Sequence, residues 1–541
     1  MIKKMLAKIA YLRDLQIFAL RLRELRHARE IRENHGDKTK DLTNQRKNIA
    51  INTVRHYTPQ LHYEYFIAYL LALRGHNVFI FLDDGCLDHW DSIRKVEVSG
   101  RGALSPFKDG WVRSKYTLFL SHLVKKAYQH ERIKTVAYSQ LHKRTSPLEN
   151  NLKEHDQRHI ISSARRYDSD YKKWNDGSIR DTSYFKMSQE NALTARQLAV
   201  VAFEKYRIKK LITSHGIYTT WGIFCDVAEE MNIETCVYSD CPYRTKMFWL
   251  TQFAIPRAGE EPSWHLHAAS PETTISPKRA KEIDDLLEER IRYKSKDNLN
   301  YYRVEALHSR VIEKQKDQKV FCMFPNVVYD GAIEERNALF KDLVDWVTST
   351  IRYFATQREN ILVVRCHPAE ASTSFAKIDQ SEMLETIIRK VIPEIDNIEN
   401  VTIISSSEGL STYEFIKQNV DVGIVYDGMI SFELCYLKTP VISCAKGRYA
   451  GSGFGFEPST KEEYYSLLRE SRTTIENFER EYDARRKNLY KFLQWYLYEI
   501  TYYFPLFTKK GGFDFDIIGT STHDMDEDEV HELKRTLNRL S

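Results

Sequence analysis

Short continuous apolar runs alternate with longer segments of helical spacing along most of this chain. Residues 48–54, 77–82, 211–214 and 234–239 form one series of apolar runs. Residues 320–324, 361–365, 401–404, 422–426 and 440–444 form a second. Each is short enough for a strand and apolar at successive positions, which is the pattern of a strand covered on both faces of a parallel sheet. Between them, 62–74, 188–207, 221–231, 339–357, 383–391, 410–418 and 430–437 carry apolar residues at helical spacing. The order strand, helix, strand predicts two doubly wound α/β domains. Residues 145–187 are polar and punctuated by Asp, Asn and Ser, and are expected to be an insertion or long connection. Residues 473–500 predict one long helix, and the acidic stretch 522–531 a mobile tail.

At the start of the chain, Ile2, Met5, Ile9, Leu12, Leu15, Phe18, Leu22 and Leu25 recur every three or four positions. Residues 1–35 therefore predict an amphipathic helix. Its other faces are basic, with nine Lys and Arg against four Asp and Glu. Two uses fit: docking on the protein itself or a partner, and attachment to an anionic membrane surface. The resulting division is helix and polar linker 1–47, N-terminal Rossmann-like domain 48–275, connection 276–318, C-terminal Rossmann-like domain 319–472, and helix with tail 473–541.

Composition narrows the class. The chain has 541 residues, 42% hydrophobic and 29% charged, as a globular protein should. Its 80 Lys and Arg against 75 Asp and Glu give a formal net charge of +5, too mild to indicate nucleic acid as a partner. The eight cysteines include no CxxC pair and no adjacent His tract. That argues against a disulfide framework or structural zinc and for a reducing, cytoplasmic setting. No apolar run approaches the roughly 18 residues of a membrane span. No clustered carboxylates or histidines suggest a catalytic metal, so neither metal nor resident cofactor is expected.

In open parallel sheets ligands bind beyond the carboxyl ends of the strands, and the distinctive polar residues fall there. Arg365-Cys366-His367-Pro368-Ala369-Glu370 follows the 361–365 run. A Pro there can start a helix whose free N–H groups, beside Arg365 and His367, would hold an anion. His367 could hydrogen-bond a phosphate or protonate it on departure. Tyr426-Asp427-Gly428 follows the next run, and Ser431 falls in the first turn of the helix after it. Glu433 could accept two hydrogen bonds from a ribose diol. Arg448, Tyr449 and four glycines (447, 451, 453 and 455) form a backbone-exposed loop. Asn326 and Asp330 follow the 320–324 run. In the first domain the strand ends supply Arg55-His56, Asp83-Asp84, Asp88-His89, Ser214-His215-Gly216 and Asp240–Arg244. Of these, Asp84 and His215 are the candidates for a base that activates an acceptor hydroxyl.

The run ILVVRCHPAE, with DGMISFELCYLKTPVI and GRYAGSGFGFEP, resembles the capsule polysaccharide biosynthesis glycosyltransferases, close to the group of capsular Kdo transferases. The matching positions are Arg365, His367, Pro368 and Glu370; Glu433, Thr439, Pro440 and Val441; and Tyr449, Gly451, Gly453 and Phe454. The likeness is good over 320–465 and fainter over 48–250. Lys438-Thr439 and Tyr426-Asp427-Gly428 depart from the family pattern and leave the donor open. The resemblance implies a GT-B fold, with two Rossmann-like domains facing a cleft. It also implies a nucleotide-activated sugar as co-substrate, a glycan or lipid-linked glycan acceptor, and no metal. Polyol-phosphate transfer and a non-catalytic role in a polysaccharide assembly complex are the alternatives.

Overall fold

The computed structural model describes residues 46–53, 58–87, 125, 128–142, 152–168, 170–240, 247–251, 274–293, 308–330, 339–371, 383–503, 507–511, 514–517 and 527–541. The helix expected over 1–35 lies outside them, as do Arg55-His56, Asp88-His89 and 241–246. The strands run in chain order β1 (Asn48–Thr53), β2 (Asn77–Leu82), β3 (Ile133–Ala137), β4 (Lys210–Ser214), β5 (Glu234–Asp240), β6 (Met247–Thr251), β7 (Val320–Phe324), β8 (Ile361–Arg365), β9 (Val401–Ile404), β10 (Val422–Val425), β11 (Val441–Ser443), β12 (Thr501–Tyr503), β13 (Phe507–Gly511) and β14 (Asp514–Ile517). The last two pair only with each other.

Two compact units are present. One comprises residues up to 167, 179–255 and 500–541; the other comprises 168–178 and 256–499. The first unit's sheet has the order β12-β6-β5-β4-β1-β2-β3. Its five strands from β3 to β5 are mutually parallel, while β6 and β12 are added antiparallel. The second unit's sheet, β11-β10-β7-β8-β9, is parallel throughout. Both parallel sheets thus share one permutation, with two strands laid to one side of the first strand and the next two laid to the other. This is the doubly wound α/β class expected from the alternating runs. In each sheet the order reverses beside the first strand, at β1/β4 and at β7/β10.

The central strands are mostly apolar and are covered on both faces. All five residues of β7, of β8 and of β4 are buried. In the second unit Phe321, Met323, Leu362 and Val364 pack with Trp346, Val347 and Ile351 of the helix Leu343–Thr356. That helix begins where Asp342 accepts the Asp345 N–H.

Three expectations change. The described residues of the polar stretch 145–187, from 152 on, are mainly helical, with helices Asp156–Tyr167 and Tyr171–Asp176 and the start of Ser183–Tyr206. Its polarity reflects buried ion pairs rather than a loop. The long helix expected over 473–500 is broken into Ser471–Arg480, Tyr482–Gln494 and a π-turn at Trp495–Glu499. The chain then enters β12. Finally, of the stretch 522–531 expected to be a mobile tail, residues 527–531 open a helix, and 522–526 lie outside the described residues. The helix Glu527–Leu540 buries Leu533, Leu537 and Leu540 against Leu61, Ile67 and Ile80 of the first unit. The Nζ of buried Lys210 donates to the Arg539 carbonyl at 2.6 Å and to Glu234 at 2.8 Å.

Candidate functional site

The carboxyl ends of β7, β8 and β10, with the loop after β11, gather a set of partly exposed polar residues of the second unit. Asn326, Asp330, His367, Pro368, Asp427, Gly428 and Arg448 all retain some accessibility. Asn326 stitches the switch point itself. Its Nδ2 donates to the Asp427 carbonyl and its Oδ1 accepts the Asp427 N–H, each at 3.3 Å. Residues 101 positions apart in sequence are thereby fixed side by side. The glycine-rich loop closes on the same turn. A Cβ on Gly447 would lie 2.0 Å from Asp427 Oδ1, so glycine lets the loop pass without displacing that carboxylate. Arg448 Nη1 donates to the Tyr496 hydroxyl at 2.9 Å. Its guanidinium is held in the charged state by Tyr496, Asp427 and Asp330. The same Asp330 acts on His367.

His367 caps its own turn. Its Nδ1 accepts the Ala369 N–H at 3.1 Å. In a neutral imidazole that leaves the proton on Nε2. Burial, and then Arg365, bring its pKa down to about 4, with Asp330 opposing. At neutral pH the ring is therefore a neutral hydrogen-bond donor, not a ready proton source. The helix expected after Pro368 is a single 3-10 turn, Pro368–Glu370, and its Ala369 N–H is already taken. No helix-start anion site forms there.

Several residues expected to bind donor are placed inside the fold. Arg365 is 3% exposed, and its guanidinium donates to the carbonyls of Ser405 (2.6 Å) and Glu408 (3.0 Å). It braces the loop after β9 and lends charge rather than contact. Ser431 is fully buried and donates to the Gly428 carbonyl at 2.8 Å. Glu433 is fully buried, and its Oε1 lies 2.6 Å from Arg290 Nε on the helix Pro277–Ile291. Its carboxylate serves that ion pair instead of a ribose. Tyr449 packs among Phe432, Phe454 and Phe492, and burial raises its hydroxyl pKa. Gly451 and Gly453 both have φ of +76°, so their glycine character is a backbone requirement of the turn. Gly428 differs: a Cβ there would meet only Ile430 at 3.4 Å and otherwise open space. Glu370 is 1% exposed and bonded to backbone.

In the first unit, Asp84 is also spent. Its carboxylate accepts the Ser139 N–H at 3.0 Å and the Ser139 hydroxyl at 2.5 Å, tying the end of β2 to the end of β3. Asp83 accepts the N–H groups of Gly85, Cys86 and Leu87. His215, at the end of β4, sits in the left-handed region (φ +61°) and stacks on Trp221 at 4.9 Å. Its Nδ1 contacts the Ser214 hydroxyl. Tyr218 nearby is also left-handed (φ +67°), with Arg166 over its ring. Such strain is kept where surroundings over-determine it, often at functional positions. The side chain of Asp240 lies outside the described residues.

One cluster was not legible in the sequence. His155, Asp156 and Asp226 bring potential ligand atoms within 4.8 Å of one another in the first unit. Asp156 is already bonded twice by Arg196 (2.9 and 2.6 Å), and Asp226 by Arg158 (2.9 Å) and His159 (3.0 Å). These pairs join helix Asp156–Tyr167 to Ser183–Tyr206 and Ile223–Glu230. Only the pairing of acids with nearby arginines across 68 and 40 positions could have signalled it. Among the described residues, no helix is long and apolar enough to cross a membrane.

No protein-family model matches the chain, and no curated protein matches it. Among solved structures, it is similar to the KpsC β-Kdo 2,7-transferase of Thermosulfurimonas dismutans. The identity is 14%, over 48% of this chain and 73% of that one, with a TM-score of 0.31. The KpsC β-Kdo 2,4-transferase of the same organism gives 14% identity, 47% and 74% coverage, and a TM-score of 0.32. The UDP-GlcNAc 2-epimerase of Neisseria meningitidis, bound to UDP-GlcNAc, gives 10% identity, 82% and 95% coverage, and a TM-score of 0.26.

Proposed function

We propose that this protein is a glycosyltransferase that moves a sugar from a nucleotide donor to a growing capsular or other surface polysaccharide. One observation carries the reading. Five partly accessible polar residues of the second unit, Asn326, Asp330, His367, Asp427 and Arg448, lie together at the strand ends around the switch point of a parallel sheet, where such folds hold nucleotides. The motif likeness over 320–465 supports the same assignment.

In this reading the His367 Nε2–H donates to an oxygen of the leaving phosphate, and Arg448 offsets the charge that develops there. Preorganised donors aimed at developing charge are usually the largest catalytic contribution. Asn326, Asp330 and Asp427 orient hydroxyl groups of the donor, and the open space at Gly428 admits the ligand close to the backbone. His215 is the remaining candidate for the base, since Asp84 is committed to Ser139. A lipid-linked acceptor and surface contact through residues 1–35 belong to the same proposal.

A thermal-shift series with CMP, CDP, UDP, GDP and ADP tests it. A ligand that binds only the folded state raises the melting temperature by mass action. One nucleotide should stabilise the protein by several degrees, and His367→Ala should abolish the shift in a protein that still folds, its unliganded melting temperature lowered only by the lost cap on Ala369. Absence of any shift, or an equal shift in His367→Ala, would count against the assignment.

A further inference from the structure

Glu370 lies three residues after His367, yet its environment is the opposite. The side chain is buried, and its carboxyl faces two other segments of the second unit while its backbone N–H holds its own turn. Oε2 accepts the Leu384 N–H at 3.3 Å, where the helix Leu384–Val391 begins. The Val328 N–H, in the loop after β7, faces the same carboxyl closely enough to favour its charged form. The Glu370 N–H returns to the His367 carbonyl at 3.1 Å. Val328 sits midway between Asn326 and Asp330. One buried group therefore joins the loop that carries two of the accessible polar residues to the turn that carries the third. The other oxygen, Oε1, is buried with no hydrogen-bond partner among the described residues.

We propose that Glu370 is a positioning residue: its carboxyl locks the loop bearing Asn326 and Asp330 to the turn bearing His367, and so sets the spacing of the groups that receive the ligand. The link to a ligand rests on the nucleotide reading given above; the lock itself does not.

The electrostatics fit a lock made by a neutral acid. No cation pairs with this carboxyl among the described residues, and a buried unpaired carboxylate is costly. The charged and titratable groups around it are Cys366 and His367 on its own turn, Arg365 at the end of β8, and Asp330 on the β7 loop. Glu385 and Arg389 stand on the helix that follows. Burial, reinforced by Glu385, brings its pKa up to about 8 against the pull of the two backbone N–H groups. An acid whose folded pKa is raised contributes fully below its unfolded value, near 4.5. That contribution is lost as pH rises through about 8.

The test uses the full chain in two arms. In the first, without ligand, amide hydrogen exchange is followed at Val328 and Leu384 from about pH 6 to 9 and corrected for intrinsic rates. Wild-type protection should fall with pH, by at most about tenfold per unit, up to about pH 8. Glu370→Gln retains an acceptor oxygen and cannot ionise, so its protection should stay within about threefold across the range. Glu370→Ala should lose at least about tenfold protection at both amides at the acid end. A Gln variant that keeps the wild-type pH dependence overturns the lock, and does so even if the Ala variant fails to fold. In the second arm, affinity for CMP, CDP, UDP, GDP and ADP is titrated at neutral pH. Glu370→Ala should bind at least about tenfold more weakly and Glu370→Gln within about threefold of wild type. Equal affinity in Ala and wild type overturns the positioning role. Wild type that binds none of the five, with the exchange pattern intact, overturns the nucleotide reading and leaves the lock standing.

Discussion

Exposure divides the polar residues of the second unit into two groups with different work. Asn326, Asp330, His367, Asp427 and Arg448 keep accessible surface at the strand ends. Arg365, Glu370, Ser431, Glu433 and Tyr449 are buried and meet protein partners. Substitutions should sort the same way. Glu433→Ala leaves Arg290 without its partner inside the fold, which typically costs about 3–5 kcal/mol. Urea unfolding should register that loss, and Arg290→Met with Glu433→Leu should recover much of it. A Glu433→Ala variant of unchanged stability but lost nucleotide binding would return Glu433 to the ligand. Gly447→Ala acts differently, because the new methyl must displace the Asp427 carboxylate. It should keep the fold and lower nucleotide affinity by about tenfold, or roughly 1.4 kcal/mol. Titration of the purified variant checks this, and unchanged affinity would contradict the role given to Asp427. In the first unit, burial and then Arg74 lower the His76 pKa to about 4. A histidine held neutral when folded and charged when unfolded costs stability as pH falls from 6.5 towards about 4. His76→Gln should flatten that acid limb in a pH series of melting temperatures.

The strands of the second sheet were legible because each is an unbroken apolar run flanked by turn residues. Residues 320–324, 361–365 and 401–404 are strands with the bounds the sequence suggests. The edges of the first sheet were harder. β3 reads IKTVA, with exposed Lys134 and half-buried Thr135, so its apolar content is too thin to stand out. β6 and β12 are antiparallel additions whose pairing spans roughly 250 positions, and no local pattern encodes that. The terminal helix was misjudged because its acidic start hides the apolar stripe Leu533, Leu537 and Leu540. Removing residues 527–541 should expose the helix Thr58–Leu73 and take the cap from Lys210. Losing even one buried leucine commonly costs about 2–5 kcal/mol. Hydrogen exchange should then rise sharply in β1 and β4 and change little in β7 and β8. Equal protection in both sheets would mean that the helix is not part of the first unit's core.

The chain enters the first unit, contributes 168–178 to the second, returns, builds the rest of the second and ends in the first. The candidate site was legible to the extent that its residues abut strands: His367, Asp427, Asn326 and Arg448 each follow an apolar run closely. Their convergence was not legible, because it depends on β7 lying between β8 and β10, a matter of sheet order. Nor could the sequence separate Arg365, which braces a loop, from Arg448, which stays accessible. Arg365 ends one strand and Arg448 follows another closely, and only burial distinguishes them. A structure of the protein crystallised with the nucleotide that stabilises it best would test the assignment. The account predicts phosphate oxygens within hydrogen-bond reach of His367 Nε2 and Arg448, at the ends of β7, β8 and β10. A nucleotide seated instead at the β1/β4 switch point, or with His367 turned from the phosphate, would contradict it.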